Sequence, residues 1–174
     1  MKNRLILTGV LTAFAGLVNA QTGSGTMGIT ADVMGSINLT FVTDASGLAV
    51  TGTTTSTGAL PFGNVQMYGG SVPANVTKTL TSTTSFTLST PFDVRVDLAN
   101  SASLTYTLSA TLSSADATNT WLIGATDISS GSITTITATG AYATAVPYTL
   151  HLTVPASAAS GAISNSVNFT AVGN

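Results

Sequence analysis

The sequence predicts an all-β protein: an antiparallel β-sandwich of about 8–10 strands. Three observations carry this. Apolar residues alternate with Thr and Ser over long stretches. No helical period appears after residue 20. Clusters of Gly, Ser, Asn and Asp break the alternation at intervals, as turns do.

Four stretches alternate most clearly. Phe92, Val94, Val96 and Leu98 form one row, and Asp93, Arg95 and Asp97 the other. Leu104, Tyr106, Leu108, Ala110 and Leu112 alternate with Thr105, Thr107, Ser109 and Thr111. Val146, Tyr148, Leu150, Leu152 and Val154 alternate with Thr149, His151 and Thr153. Ile163, Val167, Phe169 and Ala171 alternate with Ser164, Ser166, Asn168 and Thr170. Side chains on a strand point to opposite faces in turn, so each stretch reads as one buried and one wet face. The expected core therefore includes Val94, Val96, Leu108, Leu150, Leu152, Val167 and Phe169.

Shorter strand candidates are Ile29 to Val33, Ile37 to Val42, Leu60 to Met67, Val76 to Thr81, Phe86 to Ser89 and Ser132 to Thr139. Turns are expected at Asp44–Gly47, Gly69–Ser71, Ala99–Ser101, Ser129–Gly131 and Ala158–Gly161. The Thr/Ser/Gly run from Thr51 to Gly58 reads as a long loop within one domain. Two sheets with their inner faces about 10 Å apart would enclose the core. A transmembrane barrel also alternates, but it needs an apolar outer band with aromatic girdles. The aromatics here are scattered singly.

The first twenty residues have the layout of a secretory signal. Lys2 and Arg4 precede the apolar stretch Leu5 to Val18, and Val18-Asn19-Ala20 follows. Cleavage before Gln21 is expected, leaving residues 21–174 as a single exported domain. Its expected location is the periplasm, the cell surface or the medium. No later stretch reads as a membrane span.

Charge narrows the function further. Charged residues make 6% of the chain. Without Lys2 and Arg4, two basic groups face six acidic ones, a net charge of −4. Lys78 and Arg95 alone cannot form a phosphate-binding patch, so no nucleic-acid partner is expected. The chain has no Cys and no Glu, so stability is expected to come from burial rather than disulfides.

Catalytic and metal chemistry have few carriers. His151, the one His, lies on a polar strand face, and no Cys is available as a companion ligand. No G-x-S-x-G elbow occurs. Asp93 and Asp97 share a strand face, about 13 Å apart, too far for a glycosidase pair and better suited to a surface ladder around Arg95. Asp44 and Asp127 read as turn formers. Three N-x-[ST] sequons, at Asn38, Asn75 and Asn168, are expected by chance in so Thr-rich a chain. Trp121, followed by Leu122 and Ile123, reads as a core residue. No enzyme, catalytic residue, metal or cofactor is expected.

Two segments together resemble a known family. Ala59-Leu-Pro-Phe-Gly-Asn-Val65 is similar to the L-x-F-G-x-V segment near the start of secreted pilin-like domains of the spore coat protein U type. Tyr148-Thr-Leu-His-Leu-Thr-Val-Pro155, followed by Gly161-Ala-Ile-Ser-Asn-Ser-Val-Asn-Phe-Thr170, resembles their closing pair of strands. Those domains often carry Cys pairs, which this chain lacks. The resemblance implies an immunoglobulin-like sandwich, export by a chaperone-usher-like route, and a place in an extracellular fibre or coat. Its partners would be itself or related surface subunits, with a periplasmic chaperone and usher.

The residues point the same way on their own. Lys, Glu and Pro protect strand edges from pairing, and most strands here lack all three. Met27, Ile29, Ala31 and Val33 alternate with Gly28, Thr30 and Asp32 behind the Gly-containing leader Gln21 to Thr26. This row is a candidate donor strand, reaching an acceptor sheet in another subunit. It also reads as the first strand of the chain's own sandwich, a use that the modest size of its side chains favours. The competing function is a monomeric binding module, for carbohydrate or adhesion, built on exposed aromatics around Tyr68, Trp121 and Tyr142.

Overall fold

The computed structural model describes residues 27, 28, 30–42, 49, 50 and 54–174. Backbone contacts divide the chain into two units, Met1–Asp32 and Val33–Asn174. Of the first, residues 27, 28 and 30–32 are described, all of them exposed and outside any strand. The expected cleavage site, Ile29 and the Asp44–Gly47 turn lie outside the described residues.

No helix occurs among the described residues. The described residues form twelve strands in the order β1 (Ser36–Val42), β2 (Ala49–Val50), β3 (Thr54–Thr55), β4 (Gly58–Ala59), β5 (Thr77–Ser82), β6 (Ser85–Ala99), β7 (Tyr106–Leu112), β8 (Thr120–Ile123), β9 (Thr126–Asp127), β10 (Thr134–Gly140), β11 (Ala145–Pro155) and β12 (Val167–Gly173). The large sheet has the order β3-β1-β6-β11-β8-β9, with β5 also paired to β6. A second sheet is β10-β7-β12, and β2 pairs with β4 in a small ribbon. All pairings are antiparallel. The fold is an all-β sandwich.

β6 and β11 form the spine of the large sheet, paired from Ala145↔Arg95 to Pro155↔Ser85. The segments Phe86–Ser89 and Phe92–Leu98 are thus one strand of 15 residues. Pro91 is where it changes partners. On that flank β5 pairs as far as Ser89 and β1 begins at Asp93. A residue without an N–H is tolerated where the ladder is already interrupted.

The inner rows follow the alternation. Val94, Val96 and Leu108 are fully buried, and Leu150 and Leu152 nearly so. Tyr106, Ala110, Leu112, Trp121, Ile123 and Ile128 join the same core. Burying one such aliphatic side chain contributes about 1.5–3 kcal/mol. Tyr106 lies under Gly140, whose ideal Cβ would stand 2.2 Å from the ring's Cζ. Only a glycine leaves room there. It falls where β10 slips register against β7.

Several expectations need correction. Val167 and Phe169 are only partly buried, because β12 is the last strand of its sheet and is covered by β7 on one side only. Leu104 and Ile163 fall outside the strands and are exposed. Residues 30–35 form no strand, and Val33 is 72% exposed, so the sandwich does not begin there. Leu60 to Met67 is a loop whose Leu60, Phe62, Val65 and Met67 pack on the core. Part of the Thr51–Gly58 run pairs in β3 and β4, and β8 forms where the core Trp lies.

Candidate functional site

Among the described residues a groove of about 730 Å³ runs beside β12. Its walls follow from the strand order. Phe41, Phe92, Leu150 and Trp121, from four strands of the large sheet, line it together with Val167 and Phe169 of β12. The segments Ser56–Gly63 and Ile163–Ser166, with Asn168, complete the lining. Three rings meet at one place: Phe169 stands edge-on to Phe41 at 5.5 Å and tilted against Phe92 at 5.7 Å. Phe92 in turn stacks with Tyr148 at 5.8 Å.

Two sheet edges border this region. β12 has β7 on one side and no described strand on the other. Its Val167, Phe169 and Ala171 are half-buried, while Asn168, Thr170 and Val172 are exposed. β3 covers β1 only at Phe41 and Val42. Neither β1 nor β12 carries Lys, Glu or Pro, the usual guards of an open edge.

A knot of hydrogen bonds fixes Trp121 in the groove. The Asp116 carboxylate accepts from Trp121 Nε1 at 2.8 Å, from Asn119 N and Nδ2 at 2.9 Å, and from Thr118 N at 3.0 Å. Desolvation pushes its pKa up, but these donors outweigh it and lower it from 3.8 to about 2. Ser129 Oγ accepts from Trp121 N at 2.8 Å, and Ser129 N donates to Asp127 Oδ1 at 2.7 Å. The Ser129 hydroxyl and backbone N–H hold the Asp127 carboxylate below its usual value. Asp127 is a turn former, as its sequence context suggests. Asp116 is the residue that sequence reading missed. Its only signal was a lone acid five positions before the lone Trp.

The remaining candidates stay apart from the groove lining. His151 is half-buried on the outer face of the large sheet, its Nδ1 2.7 Å from Ser89 Oγ. Arg95 makes a two-pronged ion pair with Asp97, with contacts of 2.8–3.0 Å, on the same face. Exposed pairs of this kind are screened by water and contribute little to stability. Among the described residues no group of three or more His, Cys, Asp or Glu could hold a metal ion. They form no helix long and apolar enough to cross a membrane.

The aromatic trio suggested for a binding module does not form an exposed platform. Trp121 is 5% exposed, and Tyr142 is half-buried with its hydroxyl bonded to Ser103 and Thr105. Tyr68 is 66% exposed, its hydroxyl donating to Thr83 O. Of the candidate donor row, Met27 and Val33 are 85% and 72% exposed, and Ala31 is also exposed.

No protein-family model, curated protein or solved structure matches the chain.

Proposed function

We propose that this is an exported, non-catalytic structural subunit of a surface fibre or coat, assembling by strand addition between copies. The observation that carries it is the groove beside the unguarded edge of β12, with Phe41, Phe92, Val167 and Phe169 on its apolar wall and Ser and Asn side chains at its rim. A strand laid along that edge would find main-chain partners on β12 and, at the Phe41, Phe92 and Phe169 rings, an apolar wall for its inward side chains. Met27, Ala31 and Val33 supply such a row, and those three are exposed rather than built into a sheet. Related subunits, and a chaperone and usher during export, are the partners that fit this role. A monomeric carbohydrate or adhesion module is the competing reading, and it lacks the exposed aromatic platform it would use.

Deletion of residues 21–33 from the mature protein tests the proposal. The product should fold, remain monomeric by sedimentation velocity, and bind a synthetic peptide of residues 21–33 added in trans. Full-length protein should form concentration-dependent polymers. A monomeric full-length protein at every concentration, with no peptide binding by the deletion product, would sink the reading.

A further inference from the structure

We infer that Met27 is an oxidation site whose conversion to the sulfoxide switches off strand addition. The inference deepens the strand-addition reading and rests on it. The chain has no Cys, so thioethers are its reactive sulfur. Three methionines are described. Met67 is half-buried against the core, whereas Met27 and Met34 are 85% and 82% exposed. Oxidant reaches the latter two first.

The chemistry needs only a peroxide. A sulfur lone pair attacks one oxygen of hydrogen peroxide, the O–O bond breaks and an S–O bond forms. The departing hydroxide takes the proton of the transferred oxygen and leaves as water. Sulfur has lost two electrons and peroxide has gained them. A flexible apolar side chain becomes a polar one.

The two exposed methionines differ in parity, and this makes the inference sharp. Met27 belongs to the row with Ala31 and Val33, the row that would face the groove. Met34 belongs to the opposite row, with Thr30 and Asp32, which would face water. A sulfoxide at Met27 would be carried into the groove that Phe41, Phe92 and Phe169 line. A polar group that loses water without gaining a partner opposes burial. A sulfoxide at Met34 would stay solvated. Equal exposure should therefore give equal oxidation and unequal consequence.

The experiment treats the mature full-length protein, diluted until it is monomeric, with graded hydrogen peroxide and then concentrates it. Oxidised positions are mapped by peptide mass spectrometry, and assembly is followed by sedimentation velocity. Met27 and Met34 should oxidise before Met67. Assembly of the wild type should weaken about tenfold or more, the effect of one poorly paired buried polar group. Met27→Leu should assemble normally and resist peroxide, because Leu keeps the apolar row and cannot form a sulfoxide. Met34→Leu should remain as sensitive as wild type. A methionine sulfoxide reductase should restore assembly. Oxidation of Met67 first, or oxidised wild type that assembles like untreated protein, would overturn the switch. Untreated protein that never assembles would instead overturn the strand-addition reading and the switch with it.

Discussion

β11 and β12 are written in the same alternating code and meet different fates. On β11, Leu150, Leu152 and Val154 are no more than 6% exposed. On β12, Val167, Phe169 and Ala171 remain half-buried. The difference lies in their neighbours. β11 has β6 along its whole length and β8 on its other flank. β12 has β7 on one flank and a groove beside the other. Alternation states which side chains want to be covered. It does not state whether the chain itself supplies the cover.

Two truncations test that contrast, and the larger effect belongs to the centre. Leu150→Ala should lower the unfolding free energy by about 2–5 kcal/mol, the range for a buried Leu that leaves a cavity. Phe169→Ala removes more atoms, yet it should cost the isolated domain about 1–2 kcal/mol, because part of the ring already meets solvent. Urea unfolding of the monomeric domain measures both. If Phe169→Ala proved the costlier, the edge would be as well covered as the centre, and the groove would not be an open acceptor.

The distinction explains which parts of the fold were legible. The rows of β6, β7 and β11 could be read because four or five consecutive alternations leave one choice of face. β8 could not. Thr120 to Ile123 shows little alternation, and its strand state comes from pairing with β11. The open state of β12 was equally hidden, since Phe169 alternates as cleanly as Leu152. The groove depends on strand order and on the return of Ser56–Gly63 across the sheet. Both are long-range facts. Leu104 and Ile163 show the opposite failure: they continue an alternating pattern past the end of the strand it predicts.

The second prediction concerns what holds the groove's Trp in place. Asp116 has a folded pKa of about 2 against an ordinary 3.8. A depressed carboxylate pKa contributes stability above the ordinary value, and that contribution is lost as pH falls through the folded one. Thermal unfolding temperature should therefore drop between about pH 4 and pH 2, with tryptophan fluorescence changing in the same window. Asp116→Ala should cost about 1.5–3 kcal/mol at pH 7, the range for hydrogen bonds to a charged group. It should also flatten that acid limb. An acid limb unchanged by Asp116→Ala would mean that other carboxylates set it.

The smallest effect should come from the outer face of the same β11 that carries Leu150. Thr149 and His151 flank Leu150 in sequence but point the other way, and both are half-buried. His151 makes one side-chain hydrogen bond, to Ser89 at 2.7 Å. Its loss leaves the half-buried Ser89 hydroxyl within reach of water, so the penalty of a stranded buried group does not arise. His151→Ala and Thr149→Ala should each cost less than about 1 kcal/mol, several-fold less than Leu150→Ala one position away. Assembly should be unaffected, because neither residue lines the groove. A cost for His151→Ala equal to that of Leu150→Ala would show that the outer face of the large sheet is also buried against something. Loss of assembly without loss of stability would move the proposed strand-addition interface from the β12 edge to that face.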